Sequence, residues 1–557
     1  MLLYCYNINV RVKNKLYFRT LKKLPWSNKM TEKINNAISK RDFLQTIGMI
    51  GGSAAVMTAL SGFENSFASE MTAPPMLSTS GKGQKVIVLG AGLAGMVSAL
   101  ELSKKGYEVE LLEARDFAGG RTSCSRKGTK VTQADGTIET CDFEHGQYLN
   151  HGAWRIPGQH HSTLHYCRTL GVPLEVMLNH SSQSYVYSDS IEGPLNNKRV
   201  RRIHMEADRK GHVAELLAKC ASGGALDDML TPEDIEKLLT YLKSMGLINA
   251  ETFEYQANAI RGYSTYKGAG ENYGTLSEPY DLSELLNLNI QTRELTSDHP
   301  TCMFQAVGGM DALSFALRDA LPRGTMKLNK EVTKISQTND GVSINYKDTK
   351  SGRERTTKGD YLISTIPFAV VTEIENDFNQ DIIDAMKTPA PSQVSKFGLQ
   401  MKTRFWEVED MIYGGVSSTS MAGTIAYPSA DLHGNNGGVI LASYLFGGLS
   451  TAFSKMNIDQ KVEYALSTGE NIHPGNYRQN FNGKAAGIIW EDEKYNKSGW
   501  SSWRGDSIKK LPTILKGENR VLFAGDCIAP RLSGWMAGAI EGAWITIAEL
   551  DKRAGRA

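Results

Sequence analysis

One strand–turn–helix–strand segment constrains the fold of this chain more than any other feature of its sequence. The run at 85–89 (KVIVL) is short and β-branched, which is typical of a buried parallel strand. A GxGxxG turn at 90–95 follows directly, and a helical pattern then runs from 96 to 105 and stops at Gly106. A second strand at 107–112 completes a βαβ unit. The segment therefore predicts an α/β protein with a Rossmann-type dinucleotide-binding domain.

The residues of this turn have distinct predicted tasks. Gly90 makes the tight turn, Gly92 lets the backbone approach a pyrophosphate, and Gly95 lets the helix pack on the strand. The helix N-terminus presents free N–H groups and a partial positive charge to the phosphates, and Leu93 and Ala94 of the turn are also predicted to contact the dinucleotide. The turn is therefore expected to bind the diphosphate of a dinucleotide.

An acidic residue at the end of the second strand narrows the choice of dinucleotide. Glu113 can accept hydrogen bonds from both hydroxyls of the adenosine ribose, and it would repel the 2′-phosphate of NADP. The chain continues through Ala114 and Arg115 into a Gly-Gly-Arg turn that ends at Arg121. Two further motifs stand near the other end of the sequence, VLFAGD at 521–526 and GWMAGAIEGA at 534–543.

Together these motifs resemble the flavin amine oxidase family. The resemblance implies a Rossmann-type FAD-binding domain of the glutathione reductase-like amine oxidase fold, with a mixed-sheet substrate domain and a helical insert. It also implies FAD, and no cysteine or histidine lies in an evident flavin-attachment motif, so the FAD is expected to be non-covalent. Besides the residues of the glycine turn, the implied FAD contacts are Glu113, Ala114, Arg115, Gly120, Arg121, Ala153, Trp154, Arg155, Val332, Gly525, Asp526, Gly534, Trp535 and Met536.

The run GAWRIP at 152–157 resembles the L-amino acid oxidase branch of the family. This resemblance implies that Arg155 binds the α-carboxylate of the substrate, for which a guanidinium offers a matching planar fork. It further implies that Lys396 holds a water near flavin N5, with a role in reoxidation by oxygen. Tyr427 and Trp535 are the implied aromatic residues that flank the amino group and the α-carbon. These four residues are the predicted catalytic set, and all but Lys396 are predicted to bind substrate.

The implied reaction is the oxidative deamination of an L-amino acid, with hydride transfer from the α-carbon to flavin N5. The products are a 2-oxo acid, ammonia and hydrogen peroxide. Three alternatives stay open: a flavin amino acid monooxygenase that forms an amide, an amine or polyamine oxidase, and a flavoprotein without turnover. The sequence does not identify the preferred amino acid.

The sequence also predicts a division of the chain into four parts. Residues 1–69 resemble a twin-arginine export signal, with Met30 as a candidate start, and predict a periplasmic or secreted protein. A discontinuous FAD-binding domain is expected at 84–150, 303–375 and 490–553. A substrate-binding domain is expected at 151–210 and 376–489, and a helical domain that shapes the entry channel at 211–302.

Composition and missing motifs exclude other classes of protein. The net charge is +2, with 62 Lys+Arg against 60 Asp+Glu, so no basic face for nucleic acid is expected. The histidines lack a metal-ligand pattern, so no metal is predicted. No stable membrane span is expected in the mature form. The expected partners are a small-molecule L-amino acid and oxygen, and a homodimer stays open.

Overall fold

The computed structural model describes residues 71–78, 80–132, 136–288 and 296–555. The export signal predicted for residues 1–69 lies outside these ranges. Within them, no helix combines the length and the apolar character that crossing a membrane requires.

Five parallel strands form the sheet that carries the glycine-rich turn. In each neighbouring pair the strands run in the same direction, and Val86 of the central strand lies opposite both Val109 and Tyr361. The three middle strands are almost fully buried, because both faces of the sheet are covered. The predicted Rossmann-type unit is therefore confirmed. The order across the sheet is Met326–Lys327, Glu108–Leu112, Lys85–Leu89, Tyr361–Ser364 and Val521–Phe523.

Helices cover one face of the parallel sheet and a second sheet covers the other. The helices Leu93–Lys104, Asp311–Ala320 and Met536–Ala554 pack on the first face, where Ile540 and Trp544 are fully buried. On the opposite face, apolar residues of the parallel sheet share a buried cluster with a four-stranded sheet. The order of that sheet is Glu354–Gly359, Val342–Asp348, Lys330–Gln337 and Glu375–Asn376.

A mixed seven-stranded sheet forms the other large layer. Its neighbouring strands are antiparallel except for one parallel pair, Val416–Thr419 with Tyr185–Tyr187. The helix Ile458–Ile472 packs against its apolar core. The order is Phe481–Ile489, Val394–Met401, Gly438–Phe446, Gly423–Ala426, Val416–Thr419, Tyr185–Tyr187 and Arg199–Arg201.

Shorter elements connect these layers. The two-stranded antiparallel ribbons are Ser125–Arg126 with Tyr148–Leu149, Lys130–Thr132 with Ile138–Thr140, Leu174–Leu178 with Cys302–Ala306, Tyr263–Thr265 with Thr275–Leu276, and Ala390–Pro391 with Ser501–Ser502. The remaining α-helices are His161–Thr169, Arg202–Ser222, Pro232–Gly246, Leu282–Asn287, Phe368–Val371, Gln380–Lys387, Phe405–Val408, Gly448–Ser454, Tyr477–Asn480 and Leu511–Lys516. Short 3₁₀ helices are Gly505–Lys510, Asp526–Ile528 and Pro530–Leu532.

Two long helices lie in or beside the segment for which a helical domain is predicted. The first begins at Arg202, before the predicted domain boundary at residue 211. The second, Pro232–Gly246, is capped by Thr231, whose hydroxyl accepts the backbone N–H of Asp234 at 3.2 Å. From 247 to 281 the chain is mostly irregular. The division of the chain into four domains stays a prediction.

Candidate active site

A cleft of about 820 Å³ opens at the carboxyl ends of the parallel strands. Of the site residues predicted from the sequence, Gly95 and Tyr427 are not part of its lining. The others line it together: Gly90, Gly92, Leu93, Ala94, Glu113, Ala114, Arg115, Gly120, Arg121, Ala153, Trp154, Arg155, Val332, Lys396, Gly525, Asp526, Gly534, Trp535 and Met536.

The glycine turn has the backbone geometry that a diphosphate site requires. Gly90 has a φ of 95°, and a Cβ on Gly95 would lie 1.9 Å from the Gly90 carbonyl oxygen, so Gly95 faces the strand. A Cβ on Gly92 would meet nothing within 4 Å, so space lies open beside it. The helix begins at Leu93 without a side-chain cap, which leaves its first N–H groups to a ligand. The turn therefore fits a bound pyrophosphate.

The Glu113 carboxylate is held rigidly at the edge of the cleft. It is 5% exposed, and its two oxygens accept the backbone N–H groups of Ala91 at 2.7 Å and Arg115 at 2.9 Å. A carboxylate oxygen has a second lone pair, so each can still accept a hydrogen bond from a ribose hydroxyl. The position fits the predicted ribose contact.

An ion pair joins the Gly-Gly-Arg turn to the motif near the other end of the sequence. The Arg121 guanidinium pairs with Asp526 and also donates to the Gly499 carbonyl at 2.8 Å. Burial alone would lower the pKa of Arg121, but the Asp526 carboxylate outweighs it and raises that pKa. Asp526 also accepts the backbone N–H of Gly534 at 2.9 Å. Motifs about 400 residues apart in sequence thus line one cleft.

Lys396 is buried beside the chain segment that carries Arg155. Its Nζ donates to the backbone carbonyls of Gly152 at 2.6 Å and Asn150 at 3.3 Å. Burial lowers the pKa of this ammonium to about 7, and the positive charge of Arg155 acts in the same direction. The amine can therefore exchange a proton near neutral pH.

Arg155 is half-buried and oriented by two neighbours. Its guanidinium carbon lies 4.6 Å from the centre of the Trp154 ring, and its Nη1 donates to the side-chain oxygen of Asn179. The stacked, hydrogen-bonded guanidinium lines the cleft with Lys396 and Trp535. It can bind an anionic group there.

Tyr427, predicted as an aromatic residue of the substrate site, does not line the cleft. Tyr427 is 2% exposed, and its hydroxyl is engaged with Ser417 Oγ and His473 Nε2, each at 2.8 Å. It follows the strand Gly423–Ala426, which does not neighbour the strand of Lys396. Tyr444 lies directly opposite Lys396 on the adjacent strand and lines the cleft, with the Lys396 Nζ 4.7 Å from its ring centre.

His299 is a further residue of the cleft that no sequence motif predicted. Its side chain lines the cleft, although no motif marks the segment around it. Tyr444 could have been found from strand alternation once its pairing with Lys396 was known, whereas nothing in the sequence pattern indicated His299. Among the described residues, no group of three His, Cys, Asp or Glu side chains is arranged to hold a metal ion.

Comparison with known families identifies the class of this protein. The family model described as flavin containing amine oxidoreductase matches residues 93–548. The chain belongs to this flavin-containing amine oxidoreductase family. Membership implies a flavin cofactor and a small-molecule substrate oxidised with oxygen. The glycine turn, Glu113 and the Arg121–Asp526 pair are the features of the cleft that fit the cofactor.

Sequence relatives of this family member include amino acid oxidases. A flavin-dependent L-tryptophan oxidase from Lentzea aerocolonigenes is 23% identical, over 85% of this chain and 99% of its own. An L-amino-acid oxidase from Siganus canaliculatus is 26% identical, over 86% of this chain and 87% of its own. The chain thus aligns with nearly the whole length of these oxidases.

Solved structures of family members share the fold. A redesigned putrescine oxidase matches with a TM-score of 0.56 at 14% identity, over 84% of this chain and 99% of its own. The cyclohexylamine oxidase from Brevibacterium oxydans IH-35A matches with a TM-score of 0.54 at 14% identity, over 85% of this chain and 100% of its own. They agree with the α/β architecture that the βαβ unit predicts.

Proposed function

We propose that this flavin amine oxidoreductase uses FAD to oxidise the α-carbon of an L-amino acid. The observation that carries the proposal is that Arg155 lines the same cleft as Lys396 and Trp535. A guanidinium offers a planar fork to a carboxylate, a group that simple amines lack. Sequence relatives named as L-amino-acid oxidases support the same choice.

The side chains of the cleft orient the substrate. Arg155 binds the α-carboxylate, and its stacking on Trp154 and its hydrogen bond to Asn179 fix the direction of the fork. Tyr444 and Trp535 form aromatic walls that exclude water and stabilise positive character at the amine. The amine reacts in its neutral form, so no strong general base is required.

The proposed products follow from removal of one hydride, which carries two electrons, and one proton. FAD bound in the cleft would supply the oxidant for the α-carbon hydride, and the two electrons of that hydride would then reduce dioxygen to hydrogen peroxide. Water hydrolyses the released imino acid to a 2-oxo acid and ammonia. Lys396 lies in the cleft with a pKa of about 7, which suits a group that holds a water and moves protons during reoxidation.

We also propose that the FAD is held non-covalently. No cysteine is among the described residues that line the cleft, which supports this mode of binding. Denaturation in acid should release all the yellow colour into the supernatant. A yellow protein pellet would instead indicate a covalent bond.

Two alternatives use the same fold. The first alternative is an amine substrate, because putrescine oxidase and cyclohexylamine oxidase are structural neighbours of this chain. The second is an amide-forming amino acid monooxygenase, which would also need a carboxylate anchor such as Arg155. Product analysis separates the second alternative from the proposal: a 2-oxo acid with peroxide against a carboxamide with carbon dioxide.

The decisive experiment is a peroxide assay of the purified holoenzyme with all L-amino acids, their D-enantiomers and several amines. For the best substrate, Arg155→Leu should lower kcat/KM by about 100-fold or more, mainly through KM, because a buried carboxylate then lacks its partner. The matched control is Arg318→Leu on the helix Asp311–Ala320, where the Arg318 side chain is 42% exposed.

Two outcomes of this experiment would contradict the proposal. If Arg155→Leu and Arg318→Leu both matched the parent, the carboxylate anchor would be wrong. If amines were oxidised faster than every amino acid, the substrate class would be wrong, while the flavoenzyme assignment would stand.

A further inference from the structure

Residues 492–498 form an irregular segment, here called the strap, along one side of the cleft. The strap follows the strand Phe481–Ile489, and all of its residues are described and lie outside helices and strands. None of the motifs found in the sequence includes a residue of the strap. Four of its consecutive residues nevertheless line the cleft: Lys494, Tyr495, Asn496 and Lys497.

The chain is fixed on both sides of the strap. Before it, the Glu491 carboxylate accepts the Val394 backbone N–H at 2.9 Å and the Ser450 hydroxyl at 2.6 Å. After it, Gly499 donates its backbone N–H to the Ser392 carbonyl at 2.9 Å. The strap therefore spans two anchored ends, and its own side chains determine how closely it lies against the cleft.

Two lysines of the strap form ion pairs with acidic residues on other segments of the cleft lining. The Lys494 Nζ lies 2.5 Å from a carboxylate oxygen of Glu331, and Lys497 pairs with Glu373. All four side chains are partly exposed to solvent. Such pairs are individually weak and are screened by salt, so they can open and close again.

Arg115 holds the strap from a third segment. Its guanidinium pairs with Glu493, donates to the side-chain oxygen of Asn496 at 2.5 Å, and lies 5.3 Å from the centre of the Tyr495 ring. Arg115 itself lines the cleft. The strap is thus tied by charged groups to three separate parts of the cleft lining.

The strap is held at the part of the cleft that fits the adenosine of FAD. Glu113, which fits the ribose, stands two residues before Arg115. The Glu113 carbonyl accepts the backbone N–H of Lys330 at 2.7 Å, so Glu331 also lies close to the ribose position. Two of the three ion pairs of the strap therefore lie beside the residue that marks the adenosine end.

We propose that the strap closes over the adenosine half of FAD and controls the release of the cofactor. This inference rests on the proposed FAD cofactor, because a flavin without adenosine leaves nothing beneath the strap. The helix N-terminus and the Arg121–Asp526 pair belong to other segments, so the strap adds to the hold on one half of the cofactor. FAD leaves only after the ion pairs of the strap have opened.

The test is a charge-reversal cycle in the holoenzyme. Lys494→Glu and Glu331→Lys each replace an attraction by a repulsion, so each should raise the rate constant of FAD release by about 3- to 10-fold. The double variant restores the pair and should return to within about twofold of the parent. The fluorescence of free FAD after dilution measures the rate. The matched control is Lys509→Glu, since Lys509 pairs with Asp506 at 2.8 Å outside the cleft lining.

Titration of the apoproteins with FMN separates the strap from general damage to the cleft. FMN lacks the adenosine, so Lys494→Glu should weaken FMN binding by less than about twofold while it weakens FAD binding by about 3- to 10-fold. If Lys494→Glu does not fold, the cycle is measured with Lys497→Glu and Glu373→Lys.

The strap is overturned if Glu331→Lys leaves FAD release unchanged or slows it, or if the double variant releases FAD as fast as Lys494→Glu. It is also overturned if FMN and FAD binding weaken equally, or if Lys509→Glu has the same effect. Each of these results leaves the proposed FAD cofactor standing. If acid releases FMN instead of FAD from the parent, the proposed cofactor fails, so the two failures are distinguishable.

Discussion

Lys396 shows how burial gives a common residue an uncommon charge state. In sequence it belongs to an ordinary strand, and a lysine there is usually a solvated edge residue. In the structure all of Val394–Met401 is buried, and two backbone carbonyls and two aromatic rings surround the ammonium. Desolvation disfavours the charged form, and Arg155 adds like-charge repulsion, which together bring the pKa to about 7.

From the charge state of Lys396 we predict that reoxidation of the reduced enzyme depends on pH. The rate constant for reaction of the reduced enzyme with dioxygen should change with an apparent pKa near 7, measured by stopped-flow absorbance across neutral pH. Lys396→Met should remove this pH dependence and slow the step by about 100-fold. Arg155→Leu should move the apparent pKa upward, because loss of a neighbouring cation favours the protonated amine. An unchanged profile in Lys396→Met would contradict the assignment.

At the scale of the element, two glycines of one turn serve different purposes: Gly95 allows the helix to pack on the strand, and Gly92 leaves space for the cofactor. A Cβ on Gly95 would clash with the Gly90 carbonyl between strand and helix, whereas a side chain on Gly92 would enter open space beside the cleft. Both positions belong to one motif. They are nevertheless expected to fail in different ways when substituted.

Gly92→Val and Gly95→Ala test this difference. The first should fold with a stability near that of the parent apoprotein but bind FAD at least about 100-fold more weakly, a loss of about 3 kcal/mol. The second should lower the free energy of unfolding of the apoprotein by about 2 kcal/mol or more, because the backbone cannot move aside easily. Urea unfolding and flavin titration measure the two quantities. Equal losses of stability would contradict the distinction.

At the scale of the whole molecule, buried neutral histidines should make the free energy of unfolding fall as the solution becomes more acidic. His151 is 3% exposed, and both of its ring nitrogens contact serine hydroxyls, Ser123 at 2.9 Å and Ser125 at 2.7 Å. Burial lowers its pKa to about 3, with Lys396 contributing in the same direction, and burial lowers that of His160 to about 4. In the unfolded chain both rings take up a proton at about pH 6.5.

The unfolded state therefore binds more protons than the folded state below about pH 6.5. The stability conferred by these two rings is complete above that pH and is lost progressively down to the folded-state pKa values. Each ring should contribute about 1.4 kcal/mol per pH unit within its window. Urea unfolding across this range should show the slope, and His151→Asn should reduce it. A slope that His151→Asn leaves unchanged would refute the argument.

Much of the fold and part of the site follow from local sequence. The βαβ unit, the cofactor turn and Glu113 are set by neighbours a few residues apart, so spacing and residue type suffice to predict them. Arg121 and Asp526 belong to two separate sequence motifs. Only the resemblance to the family implied that both residues contact FAD and therefore lie close together. The position of Arg155 in the cleft was likewise implied by its motif and by no rule of spacing.

What the sequence by itself determined is the kind of ligand that the parallel sheet binds, because a diphosphate is held mainly by backbone N–H groups that a contiguous turn supplies. What only the tertiary structure decided is which aromatic residues line the cleft beside Lys396. Tyr444 rather than Tyr427 faces Lys396 because of the order and register of antiparallel strands. His160 and His299 reach Trp535 from distant segments. Such contacts depend on packing between elements, and no local pattern encodes them.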